Sequence, residues 1–347
     1  MKVSVVIPVF NNEATIGAAL ESVLAQRFDQ PFEVIVVNDG STDGTRSVLE
    51  KFGDRIRLID QQNAGVAPAR NAGIGAATGK FIALLDGDDT WTEDKLAKTV
   101  PVLENNTACV AVFSNAAIVE SGHGGVQQKY VEAGWTHSPT LDEMFKPPSW
   151  PILPSSVVVR RETMIAIGGF PEEFTAADYG CEDTFAFLLM REHGEIIFVP
   201  EDLVRYRMPQ WEVKLTKRRS TLNIDSDRKS RGLIEDPQRY FRANVIFARL
   251  MRDRFGVRGR ALAGYVLDGA AHELVMMGMM SMHEGDREYA RRCYLSSIRY
   301  RPLNLKTYAR LAWAAMPASV AQAVSAMLSA SLLRSLSGPP FLEERPR

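Results

Sequence analysis

Apolar residues in the first half of the chain fall into two alternating patterns. Short continuous runs at 3–7, 33–37, 56–59, 81–85 and 108–113 are rich in β-branched and large aliphatic side chains and have the length of buried strands. Between them lie stretches with helical spacing. Residues 13–26 place Ile16, Leu20, Val23 and Leu24 on one side. Residues 43–52 follow the turn-and-cap stretch Asp39-Gly40-Ser41-Thr42-Asp43, 67–77 are built of small residues, and 93–104 form a fourth helix. Strands that are apolar throughout are covered on both faces. The order therefore predicts an α/β fold: a Rossmann-like, mostly parallel sheet with helices on both faces.

After Asn115 the pattern loosens. Residues 118–154 are rich in Gly, Pro, Ser and His, carry Trp135 and Trp150, and read as a long loop region able to shape an acceptor site. Order returns with a strand at 155–159, a turn at Gly168-Gly169-Phe170, a helix at 182–193 and a strand at 196–206. From about Leu222 the pattern is helical, and residues 285–311 resemble one tetratricopeptide helix pair. Residues 311–333 hold no charge, but Pro317 and the many Ala and Ser make a poor membrane span. Three parts result: 1–207, a basic connecting segment 208–260, and an α-helical C-terminal region 261–347.

Composition changes this picture in two places. At 347 residues, 46% of them apolar, the chain is long enough for two globular domains. The net charge of -1 argues against a nucleic-acid binder but hides an asymmetry. Residues 205–260 hold sixteen Lys and Arg against six Asp and Glu, leaving the remainder at about -11. That stretch is sparsely aromatic, so base stacking is not suggested. It suits an anionic membrane surface or a diphosphate-linked lipid, or it is a solvated basic face. Cys109, Cys181 and Cys293 are far apart and form no CxxC, which supports neither a disulfide framework nor a zinc site and fits a reducing cytoplasm. The first strand begins almost at residue 1 with no leader before it. A cytoplasmic protein, peripheral on the inner face of the membrane, is expected.

Candidate chemistry centres on Asp86-Gly87-Asp88-Asp89, delivered at the end of an apolar strand. Ligands of open parallel sheets bind beyond such ends. Three clustered carboxylates repel one another unless a cation or donors satisfy them, and hard oxygen ligands suit Mg²⁺ or Mn²⁺ bridging to substrate phosphates. The other reading is an exposed acidic turn. Asp39 likewise ends a buried strand, where it either accepts from a base or ribose or closes a plain turn. Residues 63–73 are small enough for close backbone approach to a ligand, and Arg70 among them suits a base carbonyl or phosphate. Glu182 and Asp183 open a helix as either a general base or first-turn acids favoured by the helix dipole. Other motifs fail: Met276 stands where a zincin places its second His, and GxGxxG, GxxxxGK[ST] and GxSxG are absent.

In order and spacing, Val6-Ile7-Pro8-Val9-Phe10-Asn11, residues 20–26, 37–43, 63–73, 78–82 and 85–89, Gly168-Gly169-Phe170 and Glu182-Asp183 together resemble the family 2 glycosyltransferases of the GT-A fold. The resemblance runs from residue 3 to about 207. It implies an inverting hexosyl- or N-acetylhexosaminyltransferase that moves a sugar from a nucleotide-sugar, usually a UDP-sugar, to a glycan or lipid-linked acceptor in surface polysaccharide synthesis. Pro8, Phe10, Glu13 and Asp39 would hold the nucleotide with Arg70 in support. Asp86 would lie near ribose and sugar, Asp88 would ligate Mn²⁺ or Mg²⁺, and Asp183 would be the base with Glu182 beside it. In one respect the chain departs from the pattern. Where many relatives carry a His after the last strand, this chain has Met208, and a thioether is a poor ligand for a hard cation. That departure keeps open a catalytically weak nucleotide-sugar-binding or scaffold protein. The processive Gln-x-x-Arg-Trp motif is absent, which favours single transfer.

Overall fold

The computed structural model describes residues 1–120, 126–130, 137–145, 152–174, 182–208, 237–283, 285–300 and 303–317. The chain divides into two compact units, Met1–Pro209 and Gln210–Arg347.

The first unit is built on β1 (Val3–Val9), which is buried at every position. Its one polar side chain, Ser4, accepts from Gly79 N–H at 2.8 Å and donates to Glu33 Oε1 at 2.7 Å, so its burial leaves no group unpaired. α1 (Ile16–Leu24) buries Ile16, Ala19, Leu20 and Val23, the expected stripe. It starts three residues later than periodicity suggests because Thr15 and Ile16 N–H both turn back to Asn12 O. β2 (Phe32–Asp39), α2 (Thr45–Glu50), β3 (Arg57–Gln61), α3 (Val66–Ala76) and β4 (Phe81–Leu84) complete the alternation of strand and helix. α3 lies close on the sheet because Gly73 faces β1. A Cβ there would run into Val6 Cγ1 and come within 3.3 Å of Val37 Cγ2.

The unit continues with β5 (Thr90–Trp91), α4 (Lys95–Asn105), β6 (Cys109–Glu120), β7 (Val126–Lys129), α5 (Leu141–Met144), β8 (Val157–Arg160), α6 (Arg161–Ala166), α7 (Glu182–His193) and β9 (Glu195–Met208). The sheet order is β3-β2-β1-β4-β8-β6-β9-β5, with β7 paired to β6. β3, β2, β1 and β4 are mutually parallel, as are β6 and β9, while β8 runs antiparallel between β4 and β6. Val9 pairs with Asn38 and Val6 with Leu84, so β1, β2 and β4 finish along one edge of the sheet. The Rossmann-like α/β fold expected from the sequence is present. Its reversed central strand and the two-residue β5 carry no signature in the apolar pattern.

The second unit is helical where it is described. α8 (Pro237–His283) is broken at Gly256, whose φ of 55° and ψ of -123° leave helical geometry. α9 (Arg287–Tyr300) and α10 (Leu305–Ala315) follow. Val275 and Met279 from α8, Ala290 and Tyr294 from α9 and Ala314 from α10 form one core cluster, with Met276 and Met282 packed against it. The methionine run is thus packing material rather than a ligand set. Among the described residues no helix is long and apolar enough to cross a membrane. Cys109 and Cys293 are buried free thiols. Trp135, Trp150, Cys181, residues 121–125, 131–136 and 146–151 of the expected 118–154 loop, 209–236 within the basic segment and 318–333 lie outside the described residues, while the rest of 118–154 holds the end of β6, β7 and α5.

Candidate functional site

The ends of β1, β2 and β4 open onto one pocket of about 360 Å³. β1 and the residue after it supply Pro8, Val9 and Phe10; β2 supplies Asp39; the entry to α3 supplies Asn63, Gly65 and Val66. Arg70 comes from α3, Asp86, Gly87 and Asp88 from the loop after β4, and Glu182 from the first turn of α7. Seven of the nine residues expected at the site therefore line one cavity. Glu13 does not. Its carboxylate accepts from Gly44 N–H at 3.0 Å and its own N–H donates to Asp43 Oδ2 at 3.2 Å, which braces the turn before α2. Asp183 is half-buried beside Glu182 and is not among the lining residues.

Each side chain is held by identifiable partners. Phe10 is 46% exposed, an aromatic ring at the rim of a pocket. Asp39 is buried because it closes the loop into α3: Oδ1 accepts from Gln61 Nε2 at 2.8 Å and Ala64 N–H at 2.9 Å, and Oδ2 accepts from Gly65 N–H at 2.9 Å. A carboxylate has about four acceptor positions, so one remains on the Oδ2 side. Arg70 is buried to 3% exposure. Its Nη2 bonds Asp86 Oδ1 and its Nη1 bonds Glu182 Oε1, each at 2.8 Å, and its guanidinium lies over the Phe170 ring, 5.1 Å from the centroid. Burial works against its charge, but Asp86 and then Glu182 outweigh that cost and raise its pKa. The sequence suggested that Arg70 meets a base or phosphate. In the structure its terminal nitrogens tie the acidic loop to α7.

The three carboxylates of the acidic loop have three different environments. Asp86 pairs with Arg70. Asp89 is buried; Oδ2 accepts from Ser155 Oγ at 2.6 Å and Oδ1 from Arg207 N–H at 2.8 Å. Burial, Asp88 and Asp86 still push its pKa well up. Asp88 lines the pocket, where burial and then Asp86 raise its pKa to about 6. The loop closes against β1 because residue 87 is glycine: a Cβ there would sit 2.8 Å from Val9 Cγ1. Thr15 Oγ1 also donates to Gly87 O at 2.9 Å. For Asp183, burial and then Glu182 raise the pKa to about 7, with Arg70 opposing.

Among the described residues, no group of three His, Cys, Asp or Glu is gathered to hold a metal ion. A hard divalent ion that keeps its waters and takes substrate phosphate oxygens needs only one or two protein carboxylates. Asp88 has the chemistry for that: it lines the pocket, and the burial and then the nearby Asp86 that raise its pKa both disfavour a bare carboxylate, which a cation would stabilise. The residues present fit such an ion. Met208 ends β9, and its side chain lies outside the described part of the structure.

Sequence reasoning missed Ser155, Arg207, Trp91 and Phe174. The first three act through bonds across 64 to 119 residues of chain, which no local pattern reports. Phe174 follows the Gly-Gly-Phe turn and lines the pocket.

Comparison with known proteins bears on this arrangement. The Glycosyl transferase family 2 model matches residues 4–164, a range that holds the β1, Asp39, Arg70 and acidic-loop residues but ends before Glu182. An uncharacterized glycosyltransferase of Nostoc sp. is 37% identical over 147 residues, 41% of this chain and 44% of the relative. The UDP-Glc:alpha-D-GlcNAc-diphosphoundecaprenol beta-1,3-glucosyltransferase WfgD of Escherichia coli is 41% identical over 122 residues, 34% of this chain and 47% of that protein. The chain thus spans less than half the length of these relatives. The crystal structure of S. aureus TarS 1-349 in complex with UDP-GlcNAc has the same fold, with a TM-score of 0.55 at 17% identity over 90% of this chain and 87% of that one. Residues 4–164, which carry the β1, Asp39, Arg70 and acidic-loop side of the pocket, therefore match the glycosyl transferase family 2 model, on a GT-A fold.

Proposed function

We propose that this protein is an inverting, metal-dependent glycosyltransferase that moves a sugar from a UDP-sugar to a saccharide or lipid-linked acceptor in surface polysaccharide synthesis. The observation that carries the reading is the single pocket at the strand ends, where a rim aromatic, the buried Asp39 and an acidic loop fixed by Arg70 meet. WfgD, similar to this chain over 122 residues, bears the name of an enzyme that uses UDP-Glc and a diphosphoundecaprenol-linked sugar. Residues 1–207 form the catalytic domain, and the basic segment 208–260, already helical from Pro237, leads into the helical region 261–347. The basic segment rests on the anionic inner face of the membrane, where a lipid-linked acceptor resides.

Phe10 and Pro8 pack the base, and Asp39 accepts from it through its remaining lone pair. Asp86, held by Arg70, contacts ribose and sugar. Asp88 would hold Mn²⁺ or Mg²⁺, which when bound offsets the negative charge of the diphosphate. In the transfer, an acceptor hydroxyl oxygen forms a bond to the anomeric carbon while the bond from that carbon to the diphosphate oxygen breaks. Asp183 takes the hydroxyl proton, and the nucleoside diphosphate leaves with the bonding electrons. A base with a pKa of about 7 is well matched to this task at neutral pH. Glu182, fixed by Arg70, keeps α7 and its neighbour Asp183 against the pocket.

A donor screen by thermal shift with Mn²⁺ tests the reading, because a ligand that binds only the folded state raises its stability. A UDP-sugar is expected to raise the Tm and, with acceptor extract, to release UDP. Asp88→Asn should lower turnover by about a hundredfold or more, the scale seen when one electrostatic stabiliser is removed. Absence of any stabilising donor and of any turnover in the wild type would favour a scaffold protein instead.

A further inference from the structure

Ser155 is fully buried in the 3-10 turn Pro154–Ser156 that leads into β8. Two donors hold that turn: Trp91 Nε1 donates to Ser155 O and Lys95 Nζ to Ser156 O, each at 2.8 Å. The strand that follows is fixed beside β4 by the pairings Ala83 with Val158 and Ile82 with Val159. The backbone therefore aims the Ser155 hydroxyl with little freedom. It accepts from Asp86 N–H at 3.0 Å and donates to Asp89 Oδ2 at 2.6 Å. One hydroxyl grips the acidic loop at both ends, its first residue through the main chain and its last through the side chain. The loop closes on itself as Asp89 N–H donates to Asp86 O at 3.1 Å, and Arg207 Nε donates to Asp88 O at 3.1 Å.

We infer that Ser155 is the positioning residue of the acidic loop: it makes Asp89 an anchor, and so leaves Asp86 and Asp88 as the two carboxylates of the loop that line the pocket. Its consequence for turnover rests on the proposed function, whereas its hold on the loop does not. Without the hydroxyl, a buried carboxylate oxygen and a backbone N–H lose their partners, and the loop must shift or admit water to satisfy them. The groups on it then lose their place relative to a bound diphosphate. Pro8, Phe10 and Asp39 are held by other contacts and stay where they are.

The test compares wild type, Ser155→Ala and Ser155→Thr by amide hydrogen exchange and by steady-state kinetics with the donor found in the screen. In Ser155→Ala the amides of Asp86 and Asp89 should exchange about tenfold faster or more, with the β1 and β2 amides unchanged. Its kcat should fall about tenfold to a hundredfold while KM for the donor moves less than about threefold. Ser155→Thr keeps the hydroxyl and should restore most of kcat. If the added methyl prevents folding, the pair Ser155→Ala and Asp89→Asn decides: the double variant should lose little more than Asp89→Asn alone. Wild-type exchange in the loop of Ser155→Ala, unchanged kcat, exchange raised evenly over the whole sheet, or multiplying effects in the double variant would each overturn the inference. A wild type without turnover would sink the proposed reaction, and the exchange measurement would still decide what Ser155 does.

Discussion

Asp183 joins two effects of opposite sign at one residue. Its pKa lies at about 7, raised by burial and Glu182 from an ordinary 3.8. Between those values the folded protein binds a proton that the unfolded chain releases, so stability falls as pH rises through that window. Under the proposed reaction, activity runs the other way, because only the carboxylate accepts a proton. We expect kcat to climb about tenfold per pH unit below 7 and to level off above it. Asp183→Asn should abolish that rise, lower kcat by about 10²- to 10⁴-fold, and raise the Tm relative to wild type at pH 8. Matched pH–rate and pH–melting curves measure both; a variant that loses stability at pH 8 would rule out this account. That Asp39, Asp86 and Asp88 line one pocket was legible because each stands at or just beyond a strand end. The partners of Arg70 were not. Glu182 lies 112 residues away, and which carboxylates a buried guanidinium selects depends on the packing of α3 against α7.

Elements were legible where apolar periodicity is long. α7 runs over Glu182–His193 as its pattern predicts, and β1 to β4 differ from expectation only at their ends. The pattern does not encode direction. Val157-Val158-Val159 reads identically for either orientation, yet β8 runs against both neighbours. β5 is two residues long and exists because Trp91 pairs with Val204; a strand that short has no period to detect. Helix-to-sheet distance can be tested within α3. Gly73→Ala should destabilise by about 1–3 kcal/mol, since the new methyl meets Val6 in a packed core. Gly75→Ala, with nothing within 4 Å of the added Cβ, should stabilise by about 0.4–1 kcal/mol. Urea denaturation of the two variants measures the contrast, and equal effects would show that α3 does not depend on close approach at Gly73.

At the scale of the whole molecule, charge is segregated along the chain. The stretch 205–260 is strongly basic inside a protein of net charge -1. If that segment works at an anionic bilayer, the full chain should sediment with phosphatidylglycerol vesicles at low salt, release as salt approaches physiological strength and above, and ignore phosphatidylcholine vesicles. Equal binding to both vesicle types would remove the electrostatic reading. The existence of a helical second half was legible from its spacing. The break at Gly256 was not, because φ of 55° at one residue leaves the surrounding helical pattern intact.

The insertion of β8 between β4 and β6 also orders events during synthesis. A growing chain completes β1 to β4 and all three carboxylates of the acidic loop well before Ser155 and Arg207 exist. At about ten residues per second, the wait from Asp89 to Arg207 is roughly ten seconds. During that interval the loop lacks its anchor and its carboxylates remain in water. The nascent protein therefore carries the acidic loop long before the loop has its anchor, and the candidate site matures only when the far half of the sheet arrives to close it.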